Sequence, residues 1–158
     1  MKTIHLENKT SKNLHLRLLD LGHLFERTVR SWGARTIFHL DSNLTDIDYL
    51  PLERMSYLTG SVNGILVLRS SSEFGAWLKQ QRNETPLGRY NEGELFEELL
   101  SLFSLYVFHH FWNPEIFQIG PIHPFRSIPA DWPGKNPSAS CAIAVEGHPV
   151  EIRFWLSD

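Results

Sequence analysis

Residues Asn91–Trp112, NEGELFEELLSLFSLYVFHHFW, decide how the rest of the chain is read. The spacing predicts one long helix with a sharp start and a sharp stop. Asn91 can cap its N-terminus, with Glu94 three residues on in the capping-box position. Asn113-Pro114 ends it, because proline removes a backbone donor and clashes with the preceding turn. On a wheel of roughly 100° per residue, Leu95, Leu99, Leu102, Phe103 and Tyr106 form a broad apolar face. Glu94, Glu98 and Ser101 line up opposite, at i, i+4 and i+7. The last turns, with Phe108, His109 and Trp112, are apolar nearly all round.

The segments on either side supply packing for that helix. Asn13–Trp32 carries Leu14, Leu18, Leu21, Phe25, Val29 and Trp32 at helical spacing, with Ser11 or Asn13 as cap and Gly33 as a left-handed stop. Thr36–Leu40 is β-branched and aromatic, a strand leading into the polar loop Asp41–Asp48. Asn63-Gly64 is a strong hairpin signal, so Arg54–Gly60 is expected to pair with Ile65–Ser70. Ser71 or Ser72 caps a short helix, Glu73–Gln81, that buries Phe74, Trp77 and Leu78. Arg82–Tyr90 reads as a surface linker.

After the long helix, Glu115–Ile119 reads as a strand. Pro121, Pro124, Pro129 and Pro133 make the following stretch, through Asn136, an irregular loop. Two strands close the chain, Ser140–Glu146 and Val150–Leu156, joined by a turn at Gly147-His148-Pro149. The order α-β-β-β-α-α-β-β-β favours an α+β domain with an antiparallel or mixed β-sheet and long helices packed on it.

Composition bounds the function. The chain has 158 residues, room for a single domain with a real core, and 42% of it is hydrophobic, which excludes disorder. A formal net charge of −3 and a sequence pI of about 6.2 leave no electrostatic footprint for nucleic acid. No apolar run reaches the roughly 18 residues of a membrane span, and MKTIHLENKTSK has no apolar core of a signal peptide. One cysteine, Cys141, allows no intrachain disulfide, which fits a reducing compartment. A soluble, cytoplasmic protein is expected.

Local chemistry is sparse. The eight histidines include the adjacent His109 and His110, which point about 100° apart on a helix and do not chelate together. His5, His15, His23, His39 and His148 show no i, i+4 or short-loop pairing with carboxylates or Cys141, and there is no H-E-x-x-H. No metal or cofactor site is expected. Cys141 lies in the apolar run CAIAV and reads as a buried thiol. Ser61 and Ser101 lie in no nucleophile elbow, and there is no phosphate-binding glycine loop. Phe125 and Trp132, in the proline-rich loop, are a contact surface or a lid over the core. The row Glu94, Glu98, Ser101 is either a solvated face near a positive helix end or a site.

The segment Tyr57–Gln80, YLTGSVNGILVLRSSSEFGAWLKQ, resembles the CheC/CheX/FliY family of bacterial chemotaxis phosphatases, in which a strand, a glycine-containing turn, a second strand and a short helix follow in this order. Gly93–Phe111 looks like the family's active-site helix and Ala139–Trp155 like its last strands. The resemblance spans residues 34–158. The family's motif is Asp or Ser, three residues, Glu, two residues, Asn, and a Pro about 22 positions later. Glu94, Glu98 and Ser101 fall at the first three places, and Pro124 lies 23 positions past Ser101.

That resemblance implies a two-component signalling protein that docks a CheY-like response-regulator receiver domain. Glu98 would meet the receiver's active-site lysine, and the group at Ser101 would orient the water that attacks the aspartyl phosphate. Glu94 and Pro124 would contact the partner. Serine is shorter than asparagine and its hydroxyl rotates freely, so the phosphatase activity is expected to be weak or lost. No cofactor sits in this chain; the receiver would carry Mg2+. A homodimer joined through sheet edges is also implied. The contrasting expectation is a non-catalytic interaction module that uses another surface, such as the loop around Trp132. A third, an unrelated small enzyme, has no motif behind it. Exposure of Glu98 and Ser101 discriminates between the first two.

Overall fold

The computed structural model describes residues 18–40, 50–59, 63–82, 90–111, 118–124 and 137–157. In chain order the elements are α1 (Leu18–Ser31), β1 (Ile37–Leu40), β2 (Leu52–Thr59), β3 (Asn63–Ser70), α2 (Ser72–Gln81), α3 (Glu92–Phe111), β4 (Gln118–Pro124), β5 (Ala139–Val145) and β6 (His148–Ser157). This is the expected order. The strands form one antiparallel sheet, β1-β5-β6-β3-β2-β4, with β1 and β4 at its edges. α1 packs over β5, α3 over β2 and β4, and α2 against α3 and β6.

Local chemistry sets the helix ends. α1 stops at Gly33, whose φ of 104° is the left-handed conformation that glycine adopts without strain. The N–H of Gly33 donates to the Arg30 carbonyl and that of Ala34 to the Val29 carbonyl. These are the two bonds of a Schellman stop, closed by the buried pair Ala34 and Val29. Ser71 caps α2, its hydroxyl accepting from Phe74 N–H. Asn91 caps α3, its side-chain oxygen accepting from Glu94 N–H at 2.8 Å, and Glu94 Oε1 faces Asn91 N–H at 3.5 Å. The caps expected at Ser11 and Asn13, the loop Asp41–Asp48, most of the linker before α3, and Phe125 and Trp132 lie outside the described residues.

Four expectations are corrected. Asn63 and Gly64 belong to β3, with Leu58 opposite Gly64, so they are strand residues and not the turn; the β2–β3 connection lies outside the described residues. Gly64 serves close packing: a Cβ there would meet the Phe154 ring at 3.1 Å. β4 runs through Pro121 and Pro124, a stretch expected to be irregular; of the predicted strand, Gln118 and Ile119 belong to β4 and the rest lies outside the described residues. Proline is tolerated because β4 is an edge, and a bulge sets Gly120 and Pro121 against Tyr57 alone. The β5–β6 turn is Glu146-Gly147, with φ of 51° and 80°, the doubly left-handed geometry of a tight hairpin. His148 and Pro149 are already in β6, opposite Val145 and Ala144.

The fourth correction concerns α3. Leu95, Phe96, Leu99, Leu100, Phe103, Ser104 and Val107 are buried, while Leu102 and Tyr106 are half-buried. The buried face is therefore wider than expected and its centre is turned by roughly 60° on the wheel. The cause is packing on three sides. Phe103 meets Phe25 of α1 edge to face with ring centres 5.1 Å apart, and Phe96 meets Phe74 of α2 at 6.2 Å. Below them lie Leu58, Leu66, Leu68, Ile152 and Phe154 of the sheet.

The other face of the sheet is smaller and mixed. Met55, Ile65, Val67 and Trp155 form a second apolar cluster. Beside it Glu151 is buried, with its carboxylate held by Arg153 at 2.7 Å and Arg69 at 3.1 Å. Arg69 also reaches Glu53 at 3.3 Å. A buried carboxylate is tolerable only when partnered in this way.

Burying a phenylalanine is worth roughly 1.5–3 kcal/mol, so packing outweighs the cap in holding α3. The cap defines where the helix begins. Asn91→Ala is expected to cost about 1 kcal/mol in urea unfolding. Amide exchange at the far end of α3, around Phe103, should stay native.

Candidate functional site

The wheel that buries most of α3 leaves one narrow stripe in solvent. Glu94, Glu98, Leu105 and His109 are exposed and Ser101 is half-buried, all within roughly 80° of the helix circumference. Leu105, 36% exposed, extends the acidic row with an apolar contact and was not singled out by the sequence pattern. The sign that could have found it is the same spacing, continued from Ser101 by four residues.

The acids on this side of α3 differ in their commitments. Glu94 is engaged in the cap. Glu97 is tied to the sheet: its carboxylate accepts from Arg54 Nε at 3.0 Å. Arg54 also donates to the Glu53 carbonyl at 2.9 Å and lies against Gly93, where a Cβ would come within 2.9 Å of Nη2. Glu98 and Ser101, by contrast, make no hydrogen bond or ion pair among the described residues. Glu98 is exposed and Ser101 half-buried.

Pro124 enters from β4. It pairs with Arg54 in the β2–β4 ladder, and α3 packs on both strands. Glu94, Glu98 and Ser101 are thus brought into one stripe, with the Pro124 backbone one strand away from the arginine that anchors Glu97.

Other groups do not compete with it. A cleft of about 440 Å³, lined by Pro51, Ser71, Ser72, Glu73, Gly147, His148 and Pro149, lies at the start of α2 beside the β5–β6 turn. Its Ser71 hydroxyl is used in the cap, and no nucleophile with a positioned base is present there. Burial, together with the nearby Glu151 charge, pushes the Cys141 thiol up to about 12, so it is not a nucleophile at neutral pH. Glu146 is held below the usual glutamate range by the backbone N–H groups of Thr36 and Arg35, a contact that ties the β5–β6 turn to the start of β1.

One cluster escaped the sequence pattern altogether. His23 and Glu26 are an i, i+3 pair on α1, and β1 adds His39, giving three potential metal ligands in one place. His23 and Glu26 stand at i, i+3, outside the i, i+4 and short-loop spacings, and only sheet pairing brings in His39.

No family model matches the sequence, and no curated protein matches it. Solved structures do match. One is the CheX–CheY–BeF3–Mg2+ complex from Borrelia burgdorferi, with 13% identity over 87% of this chain and 96% of that chain, at a TM-score of 0.57. Another is the chemotaxis protein CheX from Desulfovibrio desulfuricans, with 10% identity over 87% and 99%, at a TM-score of 0.56. The chain is an α+β protein with its helices on one face of an antiparallel sheet. Its fold is that of the CheX chemotaxis proteins.

The contrast between Glu97 and Glu98 is testable. Arg54→Ala should lower stability by up to about 1 kcal/mol, since the pair is partly exposed. Glu98→Ala should leave unfolding within about 0.5 kcal/mol of wild type. A clearly larger loss at Glu98 in urea unfolding would make that residue part of the scaffold.

Proposed function

We propose that this protein docks a CheY-like response-regulator receiver domain through the exposed stripe of α3, in a cytoplasmic chemotaxis-type signalling pathway. The observation that carries the reading is Glu98, an exposed carboxylate with no partner among the described residues, at the place where the resemblance calls for a glutamate. Support also comes from the fold, which is shared with a CheX solved together with CheY.

In this reading Glu98 pairs with the receiver's active-site lysine. Glu94, Leu105 and the β4 backbone near Pro124 surround that contact. Ser101 lies one turn further along the same stripe, half-buried, where the asparagine of the motif would reach into the receiver. Orienting a water for in-line attack needs a side chain of fixed direction. A serine hydroxyl is shorter and rotates, so aspartyl-phosphate hydrolysis is weak or lost while docking persists. The chain brings no cofactor of its own to the step; Mg2+ belongs to the receiver. The reading extends to a homodimer joined along an open sheet edge. β1 is the shorter edge, and its Phe38 is 62% exposed.

Decay of a phosphorylated CheY-type receiver tests the assignment. Wild type should bind the receiver and accelerate decay little or not at all. Ser101→Asn should raise the accelerated rate, by up to about 100-fold for a well-placed water. Glu98→Ala should abolish both binding and acceleration. If no form of the protein binds a receiver, the likeness is one of fold alone, and the alternative of an interaction module using another surface takes its place.

A further inference from the structure

At the other edge of the sheet, β1 meets α1 through three side chains that the docking stripe does not use. His23 and Glu26 lie one turn apart on α1 and therefore share a face. His39 projects from β1 on the helix side. Its Nε2 is 2.9 Å from Glu26 Oε2, and His23 Nδ1 is 3.5 Å from the same oxygen. The two imidazole ring centres are 4.9 Å apart. Each residue offers one donor atom, and the three atoms all lie within 4.8 Å of one another.

These spacings suit a metal ion. With metal–nitrogen and metal–oxygen bonds of about 2.0–2.1 Å, the donors around a tetrahedral ion stand about 3.3 Å apart. The two distances to Glu26 Oε2 fall on either side of that value.

Three further details favour a built arrangement over a chance meeting of polar side chains. Gly22 lies inside α1, where glycine is disfavoured. A Cβ there would stand 3.1 Å from His39 Nδ1 and 3.2 Å from Cε1, so the glycine leaves room for the imidazole. Arg30 holds the other oxygen of Glu26, with Nη2 at 2.9 Å and Nε at 3.1 Å from Oε1. That fixes the carboxylate with Oε2 towards the histidines, as outer hydrogen bonds fix a ligating carboxylate. Finally, His23 is well exposed, and a cleft of about 230 Å³ lined by Asp20, His23, Leu24 and Arg27 opens beside it. A fourth position could be filled there by water or an added ligand.

We propose that His23, Glu26 and His39 bind a divalent transition-metal ion of the zinc type, clamping the edge strand β1 to α1. Two imidazoles and one carboxylate suit zinc, nickel or copper and disfavour Mg2+ and Ca2+, which take oxygen donors. The site lies at the β1 edge, at the opposite end of the sheet from β4.

Calorimetric titration of the full chain with ZnCl2, and with MgCl2 as control, tests this. The expected result is one tight zinc equivalent, a rise in melting temperature with zinc, and neither effect with magnesium. Co2+ should give the visible absorption of a low-coordinate site. His23→Ala and His39→Ala should each weaken that zinc equivalent about tenfold or more. Gly22→Ala, which touches no ligand atom, should weaken it by crowding His39. Glu26→Gln keeps the shape of the ion-pair cluster and guards against misfolding of the alanine variants; it too should lose affinity. His148→Ala in β6, outside both the cluster and the α3 stripe, should leave zinc binding unchanged. Zinc binding of equal strength in wild type and in the His23, Glu26 and His39 variants overturns the proposal, as does absence of binding at micromolar zinc. In either case the cluster is an ion pair that pins β1 and nothing more.

Discussion

Two edge-to-face ring contacts, Phe25 with Phe103 and Phe74 with Phe96, lock α3 between its neighbouring helices above the sheet. Each pair adds about 0.5–1.5 kcal/mol to the burial of its rings, and Leu95, Leu99, Leu100 and Val107 complete the seat. A helix buried on three sides has little rotational freedom. Its remaining stripe is therefore determined by the core, and that stripe carries Glu94, Glu98, Ser101 and Leu105. Arg54 adds a polar tie by holding Glu97 to β2, one residue before the unpartnered Glu98. The scaffold spends one glutamate on itself and leaves the next one free.

The sheet separates two kinds of chemistry. At the β4 edge the backbone of Pro124 lies beside Arg54, and α3 crosses above. At the β1 edge a histidine–carboxylate cluster joins strand to helix. Between them the sheet's outer face holds a buried Glu151 satisfied by two arginines. An interaction surface of the α3 kind needs no cavity, and the larger cleft elsewhere on the molecule has no matching chemistry. Among the described residues, no helix is long and apolar enough to cross a membrane.

Much of this was legible from periodicity. The order of elements, the capping box at Asn91 and Glu94, the Gly33 stop and the solvent exposure of Glu98 all follow from local pattern. What failed was whatever depends on partners distant in sequence. Gly64 was read as a turn residue, but Phe154 presses against it from β6. Pro121 was read as a breaker, but β4 is an edge and carries a bulge. The buried face of α3 turns away from Leu102 and Tyr106 because Phe25 and Phe74, both distant in sequence, take up Phe103 and Phe96. His39 joins Glu26 only through the placement of β1. Arg69 and Arg153 close over Glu151 from the neighbouring strands β3 and β6, a cluster that no local pattern announces. The place of Ser101 beside Glu98 was readable, whereas its consequence for catalysis depends on a partner the chain does not contain.

The central claim is that the α3 stripe is the docking surface. The most direct measurement is an NMR titration of the isotopically labelled protein with a beryllofluoride-activated CheY-type receiver, followed by amide shifts. Perturbations concentrated at Glu94, Glu98, Ser101 and Leu105, with neighbouring β4 amides and little change at β1, are the predicted result. Shifts confined to β1 or to the outer sheet face around Met55 and Trp155, or no shifts at all, would contradict it.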